Sequence, residues 1–274
     1  MNEKTFIVTG VTSGIGKALA LDLAGSGETI VLVARGEGRG RNVQADIKSQ
    51  TQNPNTELFI GDLSSLKSVH ALADSIKAAH EHIDVLINCA GIYKSKRELS
   101  VDGYELMFAT NHLGPFLLTN LLFDLLKVSG AARILNITAP STVKPDFDDL
   151  QGEKNFNSLN TFGATKMMNL LFTFELARRL ENTGVTANAI HPGLARSNLM
   201  NESPALMRFF VRLASAPAER VAESIVRVAK APEFEKINGK FLHRAKEIEA
   251  PAYAYDRDAQ RRLWDVSVKL AGLA

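Results

Sequence analysis

The feature that most limits how this chain can fold lies at its start. Thr5-Phe6-Ile7-Val8-Thr9 is apolar and β-branched, and it runs directly into Gly10-Val11-Thr12-Ser13-Gly14-Ile15-Gly16 and then a segment of helical period. Gly10 allows a tight turn, Gly14 lets the backbone approach a pyrophosphate, and Gly16 permits close contact of helix and strand. Thr12, Ser13 and Ile15 complete the turn. The free N–H groups and positive end of the helix favour anionic phosphates. A glycine triplet alone is weak evidence. Here a strand precedes it, a helix follows it, and a second strand comes about 20 residues on, which is the setting of a dinucleotide-binding turn.

The rest of the chain repeats that alternation. Strand-like runs fall at 5–9, 29–34, 57–60, 85–88, 133–137, 186–190 and 240–242, with candidate helices at 15–25, 41–49, 66–80, 104–127, 161–181 and 218–229. Alternating β and α segments imply an α/β fold, a doubly wound parallel sheet in three α/β/α layers. No linker or repeat interrupts 1–274, so one domain is expected. Its irregular part is an apolar insertion at about 198–213 carrying Leu199, Met200, Leu206, Met207, Phe209, Phe210, Val211 and Leu213. It reads as a lid over an apolar pocket, or as a helix packed on the core or on a second subunit.

Composition excludes several function classes. A net charge of +2 argues against nucleic acid or a membrane surface. No stretch approaches the ~20 apolar residues that would span a bilayer. Cys89 is the only cysteine, so no intrachain disulfide forms, which fits a reducing cytoplasmic location. No metal site is expected.

The second strand ends Val33-Ala34-Arg35. An NAD enzyme would typically place an acidic residue there for the ribose diol. The planar fork of Arg35 suits a 2′-phosphate instead, favouring NADP(H) over NAD(H), with Arg39 and Arg41 as helpers. The plainer reading of Arg35 is a solvated loop residue.

Further markers follow in order: Asp62-Leu63, Asn88-Cys89-Ala90-Gly91, Asn111-His112-Leu113-Gly114, Arg133-Ile134-Leu135-Asn136-Ile137, and His191-Pro192-Gly193 with Ser197. With the glycine turn they resemble the short-chain dehydrogenase/reductase family, a Rossmann fold. Asp149-Leu150-Gln151-Gly152-Glu153-Lys154, Glu175-Leu176-Ala177-Arg178-Arg179-Leu180 and Arg262-Leu263-Trp264 resemble its retinol-dehydrogenase-like branch. The resemblance implies Asp62 beside the adenine, Asn88 and Gly91 beside the ribose, and Gly193 and Ser197 on the nicotinamide side. Leu63, Ala90, Pro192 and Lys166 belong to the same implied cofactor set. Asn88 and Gly91 also read as a turn that stabilises the central sheet.

The family's chemistry uses an Asn, a Ser, a Tyr and a Lys, and here the pattern breaks. Asn111 and Lys166 are present, but the Tyr position of Phe162-Gly163-Ala164-Thr165-Lys166 holds Phe162. The Ser position falls at Ala139; Thr138 should face away, and Ser141 is a weak substitute. Loss of a general acid typically costs about 10²–10⁴-fold. His112 and His191 read as structural histidines before catalytic ones. The leading expectation is an NADP(H)-dependent oxidoreductase with an atypical site, acting on a hydrophobic carbonyl, alcohol or enone, its proton taken from water, Lys166 or the substrate. Two others stand beside it: a non-redox cyclase, isomerase or dehydratase on the same scaffold, and a catalytically silent NADP(H) sensor. Apolar residues on several faces of 161–181 offer a homodimer contact, unless the C-terminal segment covers them.

Overall fold

The computed structural model describes residues 4–203, 208, 213 and 215–273. Strands β1 (Thr5–Thr9), β2 (Thr29–Ala34), β3 (Thr56–Ile60), β4 (Val85–Asn88), β5 (Arg133–Ile137), β6 (Thr186–His191) and β7 (Phe241–His243) lie parallel, and β8 (Lys246–Glu247) adds an antiparallel edge. The order is β3-β2-β1-β4-β5-β6-β7-β8. The strand order reverses between β1 and β4, and in such sheets ligands bind in the crevice at the carboxyl ends of those strands. Strands β1, β4 and β5 are buried along their whole length, as expected for a sheet covered on both faces.

Two apolar cores flank the sheet. One face carries α1 (Gly14–Gly25), α2 (Glu37–Thr51) and α8 (Ala218–Lys230). The other carries α3 (Leu66–Ala79), α7 (Ser158–Arg179) and the segments between β4 and β5. Helix α2 begins at Glu37, earlier than expected from the apolar period, because an Arg41–Glu37 ion pair supports its polar first turn.

The helix expected over 104–127 is broken. It consists of α4 (Leu106–Phe108), a π-helical turn (Ala109–Leu113), α5 (Gly114–Leu121) and α6 (Phe123–Ser129). Pro115 has no N–H to return to the preceding turn, so the helix widens just before it. Gly114 follows the wide turn, where a Cβ would lie 2.1 Å from the Leu63 carbonyl oxygen. The wide turn therefore seats Asn111 against the β4 loop.

β8 and the C-terminal helix α9 (Arg257–Leu270) were not foreseen. Asp256 caps α9 through the N–H groups of Asp258 and Ala259. Trp264 of α9 packs edge-on against Phe116 and lies 6.1 Å from Phe172, while the Arg179 guanidinium sits 4.3 Å over its ring. Tyr255 stacks on Phe174 at 5.3 Å. The apolar residues of α7 from Met167 to Ala177 are thus buried within the chain. Of the apolar insertion, Leu206, Met207, Phe209, Phe210 and Val211 lie outside the described residues. A parallel bridge between Ala195 and Ala216 joins the strands of chain on either side of it. Among the described residues no helix is long and apolar enough to cross a membrane.

Candidate functional site

The glycine turn sits at the carboxyl end of β1 and is tight on three sides. Gly10 has φ +75°, and a Cβ there would meet Ala90 Cα at 2.7 Å. On Gly14, φ +55°, it would meet Ser197 Cβ at 2.7 Å. On Gly16 it would lie 2.4 Å from the Gly10 carbonyl oxygen. Thr9 Oγ1 accepts from the N–H groups of Cys89 and Ala90, each at 3.0 Å, tying the turn to the β4 loop. Ser13 is extended, and its side chain does not cap α1. Thr12, Ser13 and Ile15 are half-buried along the turn. A backbone cradle that side chains would fill, opening on a helix N-terminus, fits a pyrophosphate.

Arg35, just past the end of β2, and Arg39, in the first turn of α2, are exposed and have no ion-pair partner among the described residues. Arg41 pairs with Glu37 at 2.6 Å on the exposed face of α2. Asp62 is held at the end of β3, its carboxylate accepting from the Ser64 hydroxyl at 2.7 Å and N–H at 2.9 Å. Leu63 is buried beside it. Asn88 turns its side chain away from the crevice. Its amide donates to Thr119 Oγ1 and Asn136 Oδ1, at 3.0 and 2.8 Å, so the side chain serves the sheet.

Gly91, Asn111 and Lys166 converge. A Cβ on Gly91 would stand 3.5 Å from Asn111 Oδ1 and 3.6 Å from Lys166 Nζ. The Asn111 amide brackets the β4 loop, accepting from Ile92 N–H at 2.8 Å and donating to Ile92 O at 3.0 Å. It also donates to Thr165 Oγ1 at 3.2 Å, which pins α7. Lys166 Nζ lies 5.1 Å over the Phe162 ring. Burial pulls the Lys166 ammonium down to about 8. Burial pushes the Cys89 thiol up to about 12, so that thiol stays protonated.

Thr138 does face away: it is buried and its hydroxyl donates to the Lys166 carbonyl at 2.8 Å. Ala139 is half-buried at the end of β5. Ser141 lies just beyond it, its Oγ accepting from Val143 N–H at 3.2 Å. His112 is a structural anchor for α9, with Nε2 2.8 Å from Ser267 Oγ and burial lowering it to about 4. His191 packs 4.8 Å from His243, and burial first, then the second imidazole, lowers its pKa. Pro192 and Gly193, φ +76°, carry the chain from there toward Ser197.

Arg196 was overlooked in the sequence because no motif marks it. It is exposed and lines a cleft of 370 Å³ with Gly14, Lys17 and Glu219, at the start of α1. Tyr93 was overlooked too. It is buried on the β4 loop, with its ring edge-on to Phe162 at 5.7 Å.

A parallel sheet with a phosphate cradle at its switch point, and a buried lysine beside it, is the frame of a nucleotide-binding oxidoreductase. The chain belongs to the short chain dehydrogenase family, which matches residues 4–206. It is similar to retinol dehydrogenase 13 of Homo sapiens, 39% identical over 98% of this chain and 85% of that protein. It is also similar to retinol dehydrogenase 14 of Homo sapiens, at 36% identity over 100% of this chain and 88% of that one. A solved structure of an uncharacterized protein from Mycobacterium paratuberculosis superposes with TM-score 0.74 at 29% identity, covering 98% of this chain and 93% of the other.

Proposed function

We propose that this oxidoreductase uses NADP(H) to interconvert a hydrophobic carbonyl compound and its alcohol through an atypical site, in which Lys166 handles the proton. The observation that carries this reading is the buried Lys166 amine, converging with Gly91 and Asn111 beside a phenyl ring where the family pattern has a phenol. The name shared by the relatives, retinol dehydrogenase, supports an apolar substrate.

The glycine cradle would hold the pyrophosphate, with Arg196 at its edge, Asp62 at the adenine and the Ala90–Gly91 backbone at the ribose. Arg35 and Arg39 would take the 2′-phosphate. When bound, the nicotinamide supplies the hydride for the carbonyl carbon. Lys166 gives a proton to the carbonyl oxygen, and its low pKa makes it a better donor near neutrality than an ordinary lysine. Asn111 positions the β4 loop and α7 through its three hydrogen bonds. Phe162 and Ala139 wall the site with apolar surface, which excludes water and so eases loss of the Lys166 proton.

NADPH mixed with all-trans-retinal or 2-tetralone is expected to be oxidised above the enzyme-free background. Bound cofactor with no oxidation on either substrate sinks the reading. The pH dependence has a definite sign. Lys166 keeps its proton below about 8, so the reduction rate is flat there and falls about tenfold per pH unit above it. A water donor gives no such break, and Lys166→Met should remove it. Arg35→Ala is expected to weaken NADPH binding about 10–100-fold, the worth of a charged hydrogen bond, while NADH affinity stays level in the same titration.

A further inference from the structure

Phe162 is flanked by hydroxyls that the proton transfer described above does not use. The Tyr93 phenol donates to Ser158 Oγ at 2.9 Å. With that acceptor site filled, the proton of the Ser158 hydroxyl is free to point elsewhere. Tyr93 is 3% exposed whereas Ser158 is half-buried, so the phenol acts as a fixed prop and the serine is the group that can be reached. Ser158 begins α7 one turn before Phe162, a displacement of about 6 Å along the axis. On the other side, Ser141 Oγ would lie 3.1 Å from a Cβ on Gly163. The missing side chain thus lets the segment after β5 close onto α7 next to Phe162. Ser141 accepts from the Val143 N–H and likewise keeps its own proton to give.

The distribution of hydroxyls is therefore inverted. The positions that would touch the reacting oxygen are Phe162 and Ala139, while the Ser158 hydroxyl stands one helical turn before Phe162 and the Ser141 hydroxyl beside Gly163. Val143 contributes apolar surface there, within van der Waals reach of Gly163. We propose that Ser158, held by Tyr93, forms a second polar subsite. It binds a hydroxyl or carbonyl oxygen carried on an apolar frame about one helical turn from the carbon that reacts beside Phe162. The substrate class is then a bifunctional one, a hydroxyketone or diketone on a rigid hydrophobic skeleton. This inference rests on the proposed substrate chemistry but not on turnover.

The test compares 2-tetralone with 6-hydroxy-2-tetralone by calorimetry on the NADP⁺-loaded protein. The parent should bind the hydroxyketone about three- to tenfold more tightly, the worth of one neutral hydrogen bond. Ser158→Ala and Tyr93→Phe should each bring the ratio of the two affinities to one, and Ser158→Thr should restore it. A general loosening of the wall would lower both affinities and leave their ratio unchanged. Equal binding of the two ketones by the parent, binding of neither, or a ratio untouched by the variants overturns the proposal. NADPH oxidation, followed separately, judges the redox reading: a binding preference without oxidation keeps the subsite and removes the oxidoreductase assignment of the substrate.

Discussion

Phe162→Tyr combined with Ala139→Ser is expected to raise NADPH-dependent ketone reduction about 10²–10⁴-fold, the usual yield of a positioned general acid. The surroundings for the restored phenol are already in place. Lys166 Nζ lies 5.1 Å from the centre of the Phe162 ring, near enough for an ammonium to favour the phenolate and lower its pKa. Thr165 Oγ1 is bonded to the Phe162 carbonyl at 2.7 Å and to Asn111, so the backbone that aims the ring is fixed. Ala139 lies two residues past the end of the buried strand β5, and its neighbour Thr138 is held by the Lys166 carbonyl, which fixes the backbone that would carry a new serine hydroxyl. Groups that act as a unit are not additive. Phe162→Tyr alone should recover only part of the gain, and Ala139→Ser alone little. Steady-state rates of all three variants, with cofactor affinity measured beside them, check this. A pair that binds NADPH as the parent does and gains no rate would show that the pocket serves different chemistry, a non-redox reaction or sensing.

The chain announces its cofactor half more openly than its reacting half. The turn at 10–16 is legible because each glycine answers a local steric demand: two have positive φ, and all three lack room for a Cβ. The strands are legible because burial on both faces forces continuous apolar runs. What stayed hidden depends on partners distant in sequence. Arg133 looks like an ordinary strand residue, yet its guanidinium donates to the carbonyls of Val228, Ala229 and Ala231 at the end of α8. Asn88 carries the expected motif, but its side chain points into a network with Thr119 and Asn136. The meeting of Tyr93 with Phe162 needs the β4 loop and α7 in one place. Helix α9 was missed because charged residues crowd its apolar stripe of Ala259, Leu263 and Trp264. Pro115 was the available sign that the helix over 104–127 would not run straight.

Gly16→Ala is expected to cost at least about 100-fold in cofactor affinity, though it adds a single methyl. That methyl would stand 2.4 Å from the carbonyl oxygen of Gly10 and 2.8 Å from its carbon. Both are backbone atoms, so no rotamer change relieves the contact. Gly10 cannot retreat easily either. Its N–H is bonded to the Val33 carbonyl at 3.1 Å, and its Cα faces Ala90 so closely that a Cβ would overlap at 2.7 Å. The strain must be released by displacing the start of α1, which carries the N–H groups meant for the pyrophosphate. Losing two charge-assisted hydrogen bonds, at roughly 1.5–3 kcal/mol each, gives roughly 10²–10⁴-fold weaker binding. Overpacking should also lower the stability of the cofactor-free protein by about 1–3 kcal/mol, read from denaturant unfolding. The control is Gly25→Ala at the far end of the same helix, where a Cβ meets nothing within 4 Å. It should stabilise the fold by about 0.4–1 kcal/mol and leave NADPH binding unchanged. If Gly16→Ala binds NADPH as tightly as Gly25→Ala does, the pyrophosphate is not held by this turn.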